Sequence, residues 1–261
     1  MLEAENLGIE FGGLRALDGV SFRSQPGRIL SIIGPNGAGK TTLFNLVSGL
    51  YRPRTGRVIL DGKDVTGHTA HQLARLGLSR TFQNLQVFFQ MTALGNVMVG
   101  RHVHERGSVI AHMLGLPAIG RQNNASERIA RGLLARLGLS EYADVPAGAM
   151  PYGALKRLEI ARALALQPRV LLLDEPAAGC NPSETMELDE IIRSIAQDGV
   201  SIVLVEHDIR LVMNLSDEIV VLNYGRKLAQ GRPAEIQANH EVIKAYLGAD
   251  TPMEDDHARS A

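Results

Sequence analysis

The stretch Gly34-Pro35-Asn36-Gly37-Ala38-Gly39-Lys40-Thr41-Thr42 satisfies the spacing G-x-x-x-x-G-K-[ST]. Glycines let a backbone curl so that successive N–H groups face inward around a phosphate, and a helix starting just after adds the positive end of its dipole. This places Asn36, Gly37, Ala38, Gly39, Lys40, Thr41 and Thr42 around a nucleotide's phosphates. Lys40 would reach the β- and γ-phosphates, and the Thr41 hydroxyl would complete a Mg²⁺ shell. A second segment, Val170-Leu171-Leu172-Leu173-Asp174-Glu175-Pro176, is an apolar run ending in two carboxylates. Asp174 can hold Mg²⁺ directly or through water, which leaves Glu175 to orient or deprotonate an attacking water. An acid supplied for water points to hydrolysis.

These groups need strands that end at one place. Residues 28–33, 170–173 and 201–205 are short β-branched or leucine-rich runs and read as buried strands in a sheet covered on both faces. A helix over 43–50 follows the glycine-rich turn, and one over 183–196 makes a β-α-β crossover between the second and third runs. From about 85 to 166 the pattern turns helical: within 126–137, Ile129, Leu133, Leu134 and Leu137 share one face. The fold class expected is therefore α/β, a nucleotide-binding core with an inserted helical lobe. Residues 233–247 read as a C-terminal helical appendage, and the tail from Ala249, with Asp250, Glu254, Asp255 and Asp256, is expected to fray. No internal repeat or low-complexity linker interrupts the chain.

Composition narrows the class. The chain has 261 residues, 27 Lys+Arg against 28 Asp+Glu, and 45% hydrophobic residues, a globular balance without an electrostatic reason to expect nucleic acid as partner. No apolar run approaches the roughly 20 residues of a membrane span. The acidic start, Met1-Leu2-Glu3-Ala4-Glu5, lacks the order of a signal peptide, and the single cysteine, Cys180, fits a reducing, cytoplasmic address.

Further elements follow in order: Thr81-Phe82-Gln83-Asn84, the helix opening at Pro151, Ala177-Ala178-Gly179-Cys180-Asn181-Pro182, and Glu206-His207-Asp208. Together with the two motifs above they resemble the ATP-binding cassette (ABC) transporter ATPases over residues 1 to about 248. The resemblance implies a RecA-like P-loop core (about 1–84 and 167–232) with an N-terminal antiparallel β portion. It also implies a helical lobe over about 85–166, C-terminal helices over about 233–248, and ATP with Mg²⁺ as ligands. It makes Phe11 the aromatic that stacks on adenine. Gln83 becomes the residue reaching Mg²⁺ and the attacking water, and His207 the γ-phosphate contact. The family signature Leu-Ser-Gly-Gly-Gln reads Met150-Pro151-Tyr152-Gly153-Ala154 here, with only Gly153 identical. The trans contact to ATP on a second subunit is then expected at the helix start Pro151, Tyr152 and Gly153, through the backbone N–H groups of Tyr152 and Gly153, with Pro151 suiting the first turn. The acidic residue usual in the following loop is Asn181.

The segments Arg80-Thr81-Phe82-Gln83-Asn84, Arg157-Leu158-Glu159-Ile160-Ala161-Arg162 and the ending Val242-Ile243-Lys244-Ala245-Tyr246-Leu247-Gly248 narrow the resemblance. They are similar to branched-chain amino acid importer ATPases, in particular to the longer of the two ATPase subunits. The stretch from His104 to Asn124, with Val109, Ile110, Met113 and Leu116, fits the longer lobe as a short helix. That resemblance implies a second ATPase subunit, identical or related, and separate permease subunits. It also implies a periplasmic or extracellular solute-binding protein and a peripheral place on the cytoplasmic face of the inner (cell) membrane. Related systems for urea, amides or aromatic acids, a lipid or lipopolysaccharide exporter, and a soluble ABC ATPase of translation or DNA repair are the alternatives.

Overall fold

A computed structural model describes residues 1–104 and 117–247. Two sheets carry the fold. The six-stranded one has the order β10-β9-β3-β8-β7-β6, and β9, β3, β8, β7 and β6 pair in parallel. Its centre is the apolar runs read from sequence: β3 (Ile29–Ile33), β7 (Val170–Asp174) and β8 (Ser201–Val205), every residue of which is buried. β6 (Leu78–Arg80) and β9 (Glu218–Asn223) flank them, and β10 (Arg226–Gly231) closes one edge antiparallel to β9. The crossover from β7 to β8 runs through α6 (Pro182–Gln197), as the sequence pattern predicts. The four-stranded antiparallel sheet, β2-β1-β4-β5, is built from β1 (Leu2–Phe11), β2 (Leu14–Arg23), β4 (Thr55–Leu60) and β5 (Lys63–Asp64). Its apolar face meets α1 (Lys40–Val47), whose Leu43, Phe44, Leu46 and Val47 are buried between it and the parallel sheet. Burying such side chains contributes about 1.5–3 kcal/mol each relative to exposure.

The helical segment contains α3 (Ala93–Arg101), α4 (Pro117–Arg136) and α5 (Tyr152–Leu164). Its only pairing of β type among the described residues is the isolated bridge Thr92–Pro146. Ala130, Leu134 and Leu137 are fully buried and Leu133 packs on the same core, which continues without a break into Leu171, Leu173, Ile202 and Leu204 of the sheet. Short α2 (Ala70–Arg75) precedes β6, and α7 (Ile209–Leu215) follows β8.

Three expectations shift. The first helix begins at Lys40, three residues before the apolar periodicity starts, because Gly39 at φ 103° turns the phosphate loop straight into it; it stops short of Gly49, whose φ is 75°. The helix expected at 126 starts at Pro117, where proline suits a first turn. The C-terminal appendage is two helices, α8 (Pro233–Gln237) and α9 (His240–Leu247), separated at Ala238 and Asn239. Of the stretch from His104 to Asn124, residues 105–116 lie outside the described residues, as does the tail from 248.

Candidate nucleotide site

The carboxyl ends of β3, β6, β7 and β8 converge, and at each the sequence turns polar. A crevice there is where parallel α/β sheets bind ligands. The loop after β3 is the phosphate loop. Gly34 is required by close approach: a Cβ there would stand 2.2 Å from the Leu222 carbonyl oxygen. The Ala38 amide donates to Pro35 O at 3.1 Å, and the Gly225 amide to Ala38 O at 3.1 Å, so the β9–β10 turn pins the loop from outside. No side chain caps α1, so its first amides stay available to a phosphate. Lys40 Nζ meanwhile donates to Gly34 O (2.7 Å) and Pro35 O (3.1 Å). Burial holds its pKa below the usual lysine value, and Glu175 and Asp174 oppose that shift.

Asn36, Gly37, Ala38, Gly39, Lys40, Thr41, Thr42, Gln83 and Glu175 line one open cleft of about 470 Å³. Leu14, Arg15, Ala16, Tyr224 and Gly225 complete its far end. Glu175 follows the buried end of β7, with its amide donating to Val205 O at 2.8 Å and its backbone at φ 49°. A non-glycine residue held in this left-handed region costs free energy, of order 1–3 kcal/mol, and such strain concentrates at functional turns. Its carboxylate Oε2 accepts from Gln83 Nε2 at 2.8 Å, and His207 Nδ1 stands 3.7 Å away. Gln83 and His207, remote in sequence, thus bracket one carboxylate.

Asp174 lies deeper and is 4% exposed. Burial raises its pKa, and the hydrogen bond from Arg80 Nη2, at 2.8 Å, opposes that shift. Asp174 is not among the residues lining the cleft. The donors Thr41 hydroxyl, Gln83 side-chain oxygen and Asp174 carboxylate are all oxygens, the set that suits Mg²⁺ held through one carboxylate beside phosphates.

Phe11 is placed differently from the phosphate-binding residues. It ends β1, is half exposed, and meets Tyr51 edge-on at 5.4 Å between ring centroids, outside the cleft lining. Its hairpin neighbours Leu14, Arg15 and Ala16 do reach the cleft.

Pro151 is the N-cap of α5, one position before the first turn where sequence reasoning put it, with ψ at 155°. Having no side-chain acceptor, it leaves the amides of the helix start uncapped. Tyr152 is exposed and donates its hydroxyl to Ala178 O at 3.2 Å. Gly153 is buried against Glu184, where a Cβ would fall 2.3 Å from a carboxylate oxygen. Buried Lys156, one turn on, has its Nζ 3.4 Å from Gln83 O and 3.5 Å from Glu175 O. The start of α5 is therefore joined to the loops carrying Gln83 and Glu175.

Arg80, Lys156 and Glu206 were missed as site residues by sequence reasoning, although each stands inside a segment it singled out. Glu206 is 1% exposed and accepts from the amides of Ala177 (2.9 Å) and His207 (3.1 Å), tying the loop after Glu175 to the end of β8. A charge directly following the apolar run of residues 202–205 was the available signal.

Comparison with known proteins bears on the family. A family model described as ABC transporter matches residues 17–178, and one described as Branched-chain amino acid ATP-binding cassette transporter matches residues 226–251. The chain is 45% identical, over 95% of its length and 98% of the relative's, to the high-affinity branched-chain amino acid transport ATP-binding protein BraF of Pseudomonas aeruginosa. It is 44% identical over the same shares to LivG of Escherichia coli K12, which carries the same description. Among solved structures it is similar to an ATP-binding cassette of an ABC transporter in its ADP conformation, with TM-score 0.83, 32% identity, and 95% and 98% of the two chains covered.

Proposed function

The chain belongs to the ABC transporter family of ATPases, and on that premise we propose that it is the ATP-hydrolysing subunit of an importer for branched-chain amino acids. The observation that carries the site assignment is the Glu175 carboxylate at the cleft of the phosphate loop, held by Gln83 at 2.8 Å and with His207 at 3.7 Å.

In this reading the loop amides and the α1 start receive the phosphates, and Lys40 exchanges its two loop carbonyls for the β- and γ-phosphates. Such an exchange is available because those bonds only satisfy a half-buried cation. Thr41, Gln83 and Asp174 would hold Mg²⁺, which when bound would supply neutralisation of the phosphate charge. Glu175 accepts the proton of the attacking water, while Gln83 fixes that carboxylate's orientation and His207 contacts the γ-phosphate. Phe11 supports the base from its hairpin.

The uncapped start of α5, with Pro151, Tyr152 and Gly153, faces ATP bound by a second ATPase subunit. The γ-phosphate then joins the two subunits, and its loss releases them. No helix among the described residues is long and apolar enough to cross a membrane. In this reading the motion is passed to separate permease subunits at the cytoplasmic face, with a solute-binding protein delivering the cargo.

Deleting the chain in its host should abolish leucine and isoleucine uptake, and the wild-type chain should restore it. Glu175→Gln should not: it binds ATP, persists as an ATP-dependent dimer on size-exclusion chromatography, and hydrolyses about 10²–10⁴ times more slowly, the range for removing a general base. Undiminished uptake after deletion defeats the importer assignment; an unchanged hydrolysis rate defeats that of Glu175.

A further inference from the structure

Arg80 ends β6, three residues before Gln83, and its side chain is 7% exposed. Its guanidinium meets three acceptors at once: Asp174 Oδ2 through Nη2 at 2.8 Å, and Asn45 Oδ1 and Ser48 Oγ through Nη1, both at 2.8 Å. Asn45 belongs to α1 and Ser48 caps its end. The guanidinium also lies over the rings of Phe44 and Phe82, with Cζ 5.5 and 5.0 Å from their centroids. Phe82 is the residue before Gln83, and its amide donates to Glu159 of α5 at 3.3 Å.

An unpaired charge at such depth would cost several kcal/mol, so the pair must be held with good geometry to persist. A planar fork with two apolar faces is what lets one cation do this; an ammonium offers neither the fork nor the faces. The arrangement occupies one Asp174 oxygen and immobilises it against the helix that follows the phosphate loop. Phe82 forms the outer wall, so the wall continues directly into the Gln83 segment.

We propose that Arg80 is a positioning residue for the nucleotide's magnesium: it fixes the Asp174 carboxylate so that the remaining oxygen serves the cation, and Phe82 couples that fixation to the placement of Gln83. The inference rests on the nucleotide reading given above. Outer partners of this kind typically govern metal affinity by 10–100-fold.

The test is binding of a fluorescent ATP analogue to the full chain, first with chelator and then against Mg²⁺, with Mn²⁺ occupancy followed by electron paramagnetic resonance. Arg80→Lys should match wild type in metal-free binding and need about tenfold more Mg²⁺ or Mn²⁺ for half-saturation. Phe82→Leu, which leaves the ion pair in place, should shift the midpoint in the same direction by a smaller factor. It carries the test alone if Arg80→Lys does not fold. Midpoints equal to wild type overturn the proposal. So does a parallel loss of metal-free and metal-dependent binding, because that is what a merely structural arginine would give. A wild-type chain that binds no nucleotide under either condition overturns instead the nucleotide reading beneath it.

Discussion

Glu206 illustrates how a single buried charge sets a pH dependence. Burial lifts its pKa above the ordinary 4.5, and the amides of Ala177 and His207 only partly offset this. A group whose pKa is higher folded than unfolded contributes stability that is complete below the unfolded value and lost as pH rises through the folded one. Glu206→Gln keeps an acceptor for one of those amides, at a loss that does not vary with pH, and removes the charge. Its melting temperature relative to wild type should therefore climb as pH is raised from below 4.5 toward neutrality; a difference constant across that range would refute the sign. The phosphate loop was legible in the sequence because its glycines and lysine act locally. Arg80 was not: its partners lie in α1 and at the end of β7, and only the register of β6 beside β7 brings them together.

Among the helices, α6 shows what the substitution at Asn181 retains. Asn181 caps it in a reciprocal pair: its Oδ1 accepts from the Glu184 amide at 3.0 Å, and its own amide donates to Glu184 Oε2 at 2.9 Å. Asn181→Ala should cost about 1 kcal/mol, and Asn181→Asp should be neutral or stabilising by about 0.3–1 kcal/mol through the helix dipole. Denaturant midpoints measure both, and equal midpoints for the two variants would contradict this account. Because Glu184 also abuts Gly153, the cap and the start of α5 form one packed unit. The sequence placed strands 170–173 and 201–205 to within a residue, since their shortness and leucine-rich or β-branched content suit buried strands. It left β4, β5, β6 and β10 unnamed, because β4 alternates and the others lie at sheet edges and take their pairing from tertiary contacts; β9, a buried apolar run inside the sheet, went unnamed as well.

Across the whole molecule, the C-terminal helices pack behind the nucleotide site. Tyr246 and Val242 of α9 share an apolar cluster with Ile33, the residue before the phosphate loop. Burial pushes the Tyr246 phenol up to about 12. Tyr246→Ala removes the ring from that cluster. A loss of about 1–3 kcal/mol in stability is expected, below the range for a fully buried aromatic because the side chain is half-buried, together with several-fold weaker ATP binding. Unaltered melting temperature and ATP titration would remove Tyr246 from any such role. The family ending in the sequence pointed to these residues without saying what they touch; that needed the fold. The placement of α9 has a practical corollary for protein engineering. Two copies joined head to tail in a single polypeptide must each retain residues through 247 and start the linker beyond them, since a design trimmed at Gly231 would discard the backstop of its own phosphate loop.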